Sequence, residues 1–257
     1  MAELLTSDEF QRYLKGLMAV HFLSYLAVKI FRPKGEIGQQ PHVAAHFPVS
    51  LGAFAVLALL GTHTWVYDQD LHKMDRLHGY SEVAITISRF MTAFQFYELF
   101  AIIMDKSLAG PGGIMALHHI VVIMLGTLVV TQQYMHYYSI FFFGVPELSS
   151  LPLAFVDLFK SFRGLREKNE ALNGLVRNIF ALTFLPVRDV WFPIVSFKFW
   201  VDSVTELGNP DSSTPIAMVI AVCASNFFMV CLQVKCMFFI PLPLTHTIFC
   251  LCPKACY

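Results

Sequence analysis

Seven stretches of this chain are long and apolar enough to cross a bilayer, and they take up most of its length. They run over residues 13–31, 43–66, 83–104, 113–134, 136–159, 176–200 and 215–240. A transmembrane helix needs about 20 mainly apolar residues, and in lipid every backbone polar group must be bonded within its own segment. The pattern predicts an all-α, polytopic membrane bundle or barrel. The predicted bundle has seven transmembrane helices if the first stretch crosses the membrane and six if it does not. This stretch is the shortest and carries His21 and Lys29.

The composition fits a membrane protein and excludes one class of partner. Hydrophobic residues make up 56% of the chain and charged residues only 14%, against about 25% charged in soluble domains. The mean hydropathy is +0.59. A formal net charge of zero argues against a nucleic acid partner, which usually needs a basic face.

Three regions follow from the spacing of the apolar stretches. Residues 1–42 hold an N-terminal segment with the first transmembrane helix, residues 43–240 a six-helix domain, and residues 241–257 a tail containing cysteines. The N-terminus lacks the pattern of a cleaved signal peptide. All six cysteines lie in the last 35 residues, and we interpret them as reduced. Palmitoylation, a zinc site without a CxxC pair, and no role at all remain alternatives for the tail cysteines.

Basic residues near the helix ends predict the orientation. The loop that runs from Lys160 to Arg177 is the densest basic cluster, whereas the following loop, "DSVTELGNPDSSTP", carries only acids. We therefore place the first loop and the C-terminal tail in the cytosol. With seven spans the N-terminus is lumenal.

Two adjacent histidines and a glutamate lie at a similar depth in neighbouring spans. His118 and His119 follow Gly113 by five and six residues, or roughly 8–9 Å. Glu98 precedes Met104, at the cytosolic end of its span, by six residues. Ionisable side chains inside a span are functional candidates, and we expect Glu98 to reach one of the imidazoles. Such a pair acts as a base or an acyl-accepting nucleophile, or simply bonds helices together.

Glu147 and Arg188 lie nearer the middle of the bilayer, roughly 18 Å from the cytosolic edge. They are a candidate ion pair. A metal site made of His118, His119 and Glu98 is not expected, because consecutive helical residues point about 100° apart.

Four strings resemble the TLC superfamily, named for TRAM, Lag and CLN proteins. They are "FQFYELF", "LHHIVV", "GVPELSSLPLAFVDL" and "FALTFLPVRDVWFP", and the resemblance runs from about residue 46 to 240. It implies a polytopic protein, typically of the endoplasmic reticulum, with a helical barrel around a lipid-accessible cavity.

The resemblance also implies site residues. In the ceramide synthases of this superfamily, paired histidines sit in the reaction cavity with two aspartates on the next helix, and His118 and His119 match the first element. Where the synthases continue with His-Asp and a further Asp, this chain has Val145, Pro146, Glu147 and Ser149. Asp157 is not an evident substitute. The "ELSSLP" string is closer to the non-synthase branches.

We therefore expect a TLC-domain protein that binds a membrane lipid, either a sphingolipid or a phospholipid, and contributes to membrane lipid homeostasis. Its cavity residues would be His118, His119, Glu98, Glu147, Arg188 and Asp157. One alternative is an N-acyltransferase of the ceramide synthase type, with acyl-CoA as co-substrate and His118, His119 and Glu98 as catalytic residues. A second is a trafficking receptor or chaperone-like protein. No cofactor is expected. The expected membrane is that of the endoplasmic reticulum, with the Golgi and plasma membrane as alternatives. Homo-oligomers and hetero-oligomers are both alternatives for the assembly.

Overall fold

The computed structural model describes residues 2–210 and 212–237, and over these residues the chain is helical without strands. The predicted all-α, polytopic bundle is confirmed, with seven helices long and apolar enough to cross a membrane. The helices are α1 (Ala2–Thr6), α2 (Asp8–Phe31), α3 (Glu36–Gln39), α4 (Pro41–Tyr67), α5 (Glu82–Met104), α6 (Ile114–Gln132), α7 (His136–Gly144), α8 (Glu147–Ser161), α9 (Arg163–Lys168), α10 (Glu170–Phe184), α11 (Phe192–Leu207) and α12 (Ile216–Met237).

Local sequence signals set the helix boundaries. Ser7 caps α2 by accepting the Phe10 N–H, and Ser81 caps α5 by accepting the Ala84 N–H. The connection from α5 to α6 ends in Gly112 and Gly113, both with positive φ, a conformation that glycine adopts without a steric penalty. These caps and turns set the residues at which α2, α5 and α6 begin.

Two spans are interrupted at prolines. Pro146 lies between α7 and α8, which together make the fifth span, His136–Ser161. Pro186 lies in a π-helical segment, Leu185–Trp191, which joins α10 to α11 in the sixth span. Proline lacks the N–H of the regular ladder and clashes with the preceding turn, and π-segments of this kind often occur at functional sites.

The six spans that follow α2 form a ring. α4 packs on α5, α5 on α6, α6 on α12, α12 on α11, α10 on α8, and α7 and α8 on α4. α5 also touches α7, so the space inside the ring lies among the spans from α5 to α12. α2 packs outside the ring against α4 and α5.

The helices come closest where α4 crosses α7. A Cβ built on Gly61 would lie 2.3 Å from Gly144 Cα, and one built on Gly144 would lie 2.4 Å from Gly61 Cα. Two backbones approach this closely only when both residues lack a side chain. The pair brings the fifth span close to the second and sets the position of the Pro146 break, two residues beyond Gly144.

The loop between α4 and α5 covers one end of the ring. Leu77 in this loop is buried, and its carbonyl accepts the Met135 N–H at 2.7 Å. Arg76 donates to Asp202 at 2.6 Å and His78 contacts Glu206 at 3.0 Å, both on α11. The loop therefore reaches from α4 and α5 across to the sixth span.

The cysteine predictions fall largely outside the described residues. Cys223 and Cys231 in α12 are free thiols. The predictions for Cys236 and for the tail with Cys250, Cys252 and Cys256 concern side chains that are not described.

Candidate functional site

A cavity of about 60 Å³ lies inside the ring. Most of its wall is apolar, from phenylalanine, methionine, valine and leucine side chains of α5, α6, α7, α11 and α12. Six polar side chains interrupt this wall: Gln95, His118, Glu147, Arg188, Asn226 and Gln233. The volume suits a few water molecules or a polar group of similar size. An apolar chamber with convergent polar groups is the usual form of a small-molecule site.

The π-helical segment positions Arg188 at the cavity wall, where its guanidinium binds the start of α8. Nε donates to Ser149 Oγ at 2.7 Å, and Nη2 donates to Ser150 Oγ at 2.8 Å and to the Pro146 carbonyl at 3.2 Å. Nη1 donates to Gln233 Oε1 on α12 at 3.3 Å. A single cation thus links the fifth, sixth and seventh spans.

The structure brings Glu147 and Arg188 together. Arg188 Nη2 lies 3.9 Å from Glu147 Oε1, and both side chains are mostly buried, with 15% and 12% exposed. The separation is too long for a hydrogen bond, so the contact is electrostatic. Their role in binding stays a prediction.

His118 lines the cavity, and its Nδ1 is buried without a hydrogen-bond partner among the described residues. Asn226 Oδ1 on α12 is a second buried polar atom on the wall that lacks such a partner. Leaving a buried donor or acceptor unpaired costs about 1–3 kcal/mol. Both atoms therefore favour a polar group in the cavity.

Glu98 lies within electrostatic range of His118 and His119 but makes no hydrogen bond to either among the described residues. His119 Nδ1 bonds instead to Gln95 Oε1, and Gln95 Nε2 donates to Met91 Sδ at 3.0 Å. Gln95 lies one turn before Glu98 on α5, so the level at which α6 faces α5 decides which side chain His119 meets. An amide does not raise the basicity of an imidazole as a carboxylate does.

Glu98 bonds to α4, which the sequence interpretation missed. Its carboxylate accepts from His46 Nε2 at 2.8 Å and from Ser50 Oγ at 3.0 Å. Because a carboxylate only accepts, His46 carries its proton on Nε2, 3.0 Å from Ser50 Oγ. Serine and carboxylate share that one nitrogen, so the cluster lacks the geometry of a Ser-His-Glu triad. The spacing of His46 and Ser50, one turn apart in a span, was the available signal.

A second missed set joins α2 to the ring. His21 Nδ1 lies 2.9 Å from Tyr97 Oη and His21 Nε2 lies 3.4 Å from His42 Nδ1. One tautomer, with the proton on Nε2, satisfies both contacts. His21 is buried, with 5% exposed, so the histidine that weakened the first span in the sequence analysis is the residue that ties it to its neighbours.

Asp157 is exposed and does not line the cavity. It lies within electrostatic range of His46 and Glu98, which places it near the α4–α5 cluster. Within residues 2–210 and 212–237, no three His, Cys, Asp or Glu side chains converge as metal ligands.

A comparison with known families gives one match. The family model for the TLC domain matches residues 43–241, which begin two residues into α4 and so include the whole ring. No curated protein and no solved structure matches the chain.

Proposed function

Because the chain belongs to the TLC-domain family, we propose that it binds a membrane lipid in the ring cavity and so contributes to the lipid composition of an internal membrane. The resemblance favours the endoplasmic reticulum. One observation carries the proposal. His118 and Asn226 both line one small chamber, and each has a buried polar atom, Nδ1 and Oδ1 respectively, that is unpaired among the described residues. A lipid head group that offers a donor and an acceptor satisfies both atoms.

The size of the cavity limits what enters it. At about 60 Å³ it accepts the polar end of a lipid rather than a whole molecule. The acyl chains then lie along the apolar wall or between the spans. Arg188 and Glu147 are already close to each other, so the head group with the smallest electrostatic cost carries no net charge.

Lipids that copurify with the protein test this proposal. We expect His118→Leu and Asn226→Leu each to retain at least about tenfold less lipid, since each removes one hydrogen bond to the head group. Lipid is measured by mass spectrometry of protein purified in mild detergent. The control is Asn178→Leu, because Asn178 is exposed on α10. Equal lipid in all three variants and the wild type would contradict the proposal.

An acyltransferase activity is the second candidate, and the unpaired His118 Nδ1 is the observation that favours it. In such a reaction the amine of a sphingoid base attacks the acyl-CoA thioester, His118 accepts the amine proton, and the CoA thiol leaves. No carboxylate is hydrogen-bonded to His118 or His119 among the described residues, since His119 bonds to Gln95 and Glu98 bonds to His46 and Ser50. Purified protein incubated with acyl-CoA and a sphingoid base distinguishes the two. Turnover that His118→Ala abolishes would establish the enzyme, and retained lipid without turnover supports binding alone.

A further inference from the structure

A second apolar space lies outside the ring, between α2 and α4, with Phe90 of α5 at its base. This outer groove has a volume of about 320 Å³, several times that of the ring cavity. Its aliphatic lining residues are Leu17, Val20, Val49, Ala53 and Val56. Along α2 it runs from Arg12 to Val20, which is about 12 Å, most of one bilayer leaflet.

The small residues that line the groove explain why it is open. Gly16 and Gly52 face the groove, and a Cβ added to either would meet nothing within 4 Å. Pro48 also lines the groove, inside α4, where it disrupts the regular helix. Protein interiors are otherwise packed to crystal-like density. Glycines that normally allow helices to touch therefore leave an open channel at this place.

Acyl chains are the groups that fill such a channel. The chain is a membrane protein with seven spans, and Val20 and Val56 are 44% and 42% exposed along the groove. Water gains no hydrogen bonds from an apolar wall. A hydrocarbon chain lying between α2 and α4 buries the same surface that a packed helix pair would bury.

One end of the groove carries a positive charge. Arg12 lies four residues inside the start of α2 and is exposed, so it is about 6 Å from the end of that helix. Among the described residues Arg12 makes none of the ion pairs, whereas its neighbour Glu9 pairs with Arg89. A guanidinium binds a phosphate through parallel charge-assisted hydrogen bonds.

We propose that a glycerophospholipid occupies the outer groove, with one acyl chain between Gly16 and Gly52 and its phosphate on Arg12. This lipid fills the gap that the two glycines leave and fastens α2 to the ring. The site is separate from the ring cavity and shares no residue with it.

Native mass spectrometry of the detergent-purified full chain tests this inference with two probes that have the same acyl chains. Dioleoyl phosphatidylglycerol carries the phosphate, and dioleoylglycerol lacks it. In the Asn226→Leu background, which lacks lipid binding in the ring cavity, we expect the protein to bind one phosphatidylglycerol about tenfold more tightly than dioleoylglycerol. Arg12→Gln removes this preference, because it removes the charge-assisted contact. Lys106→Gln, an exposed cation far along the chain, keeps it.

Filling the groove tests the acyl-chain part. Gly52→Leu and, as a second variant, Gly16→Leu place a side chain in the open space, and we expect each to abolish the binding of phosphatidylglycerol. Gly174→Leu on the exposed side of α10 is the control, because a Cβ there also meets nothing within 4 Å. Wild-type stoichiometry in both groove variants would overturn the proposal, as would equal affinity of Asn226→Leu for the two probes.

The cavity variants separate this site from the proposed function. Asn226→Leu lies in the ring and leaves phosphatidylglycerol binding in the outer groove unchanged. Loss of the groove lipid in Asn226→Leu, with the fold retained, would show that the two sites are one and would overturn the inference.

Discussion

At the scale of single residues, Arg188 organises the cavity. It contacts Ser149, Ser150, the Pro146 carbonyl and Gln233, and its nearest anion is Glu147 at 3.9 Å. A largely buried carboxylate at this distance depends on the cation for its charge balance. The effect of removing Arg188 therefore depends on what is done with Glu147.

We predict that Arg188→Met lowers the free energy of unfolding by about 3–5 kcal/mol, the usual cost of breaking a buried pair by removing one partner. The double variant Glu147→Gln/Arg188→Met recovers at least half of this loss, because no unpaired charge remains. Reversible unfolding in mixed micelles measures both. If the two substitutions are additive, the pair makes no contribution of its own.

Asp75, in the loop outside the spans, gives a prediction on pH. Its carboxylate accepts the His78 N–H at 2.7 Å and the Leu77 N–H at 2.8 Å. The hydrogen bond from His78 is the main cause that lowers the pKa of Asp75 below its ordinary value, with a further contribution from Leu77. A lowered folded-state pKa stabilises the fold above the unfolded-state value of about 3.9, and the stabilisation is lost as the pH falls through the folded-state pKa.

We therefore expect the Tm of the wild type to fall more steeply than that of Asp75→Asn when the pH is lowered from 5 to 3. The asparagine still accepts hydrogen bonds but does not titrate. Parallel pH curves for the two proteins would show that Asp75 does not contribute to the acid sensitivity of the loop.

At the scale of elements, the crossing of α4 and α7 is the tightest contact between helices for which a substitution can be designed. Gly61 and Gly144 face each other there, and a methyl group on either must push the backbones apart. The α5–α6 pair has a similar point, where a Cβ on Gly126 would lie 2.2 Å from Thr92 Oγ1. A side-chain oxygen can rotate away, whereas a backbone cannot.

We predict that Gly61→Ala and Gly144→Ala each destabilise the fold by about 1–3 kcal/mol through overpacking. Gly174→Ala, in an open helical position, is neutral or stabilising because alanine is the better helix former. Thermal unfolding in detergent measures all three. A neutral Gly61→Ala would mean that the two helices separate at little cost.

The element scale also shows why part of the site was predictable and part was not. The apolar stretches predicted the spans, because hydropathy is a local property of the sequence. The level along the axis at which one span packs on the next is not local. Gln95 and Glu98 lie one turn apart on the same face of α5, so hydropathy alone does not decide which of them His119 meets.

The Glu147–Arg188 contact was predictable from the depth of the two residues in the bilayer, whereas the His46–Glu98 contact was not. Glu147 and Arg188 are charged residues near the middle of spans, where few alternatives exist. His46 lies near the start of α4, where a polar residue at the membrane surface is ordinary. The histidine at position 21 was likewise interpreted as a weakness of the first span rather than as a contact.

At the scale of the whole molecule, the ring, the outer helix and the covering loop give the protein two distinct ends. The basic residues of the Lys160–Arg177 loop and the acids of the loop after α11 predict which end faces the cytosol. We predict that an N-glycosylation acceptor inserted between Arg163 and Lys168 stays unmodified and that one inserted between Gly208 and Thr214 is glycosylated. A gel-shift assay with endoglycosidase treatment measures this, and the reverse pattern would invert the orientation.

The loop that closes one end of the ring limits how anything reaches the interior. Arg76 and His78 fasten it to α11, and Leu77 bonds to the turn between α6 and α7. A lipid or other molecule that approaches from the water on that side is blocked by a loop that is fixed by three contacts. A molecule that enters sideways from the surrounding leaflet avoids this loop, and by that route the rate of uptake follows its concentration in the membrane rather than in solution.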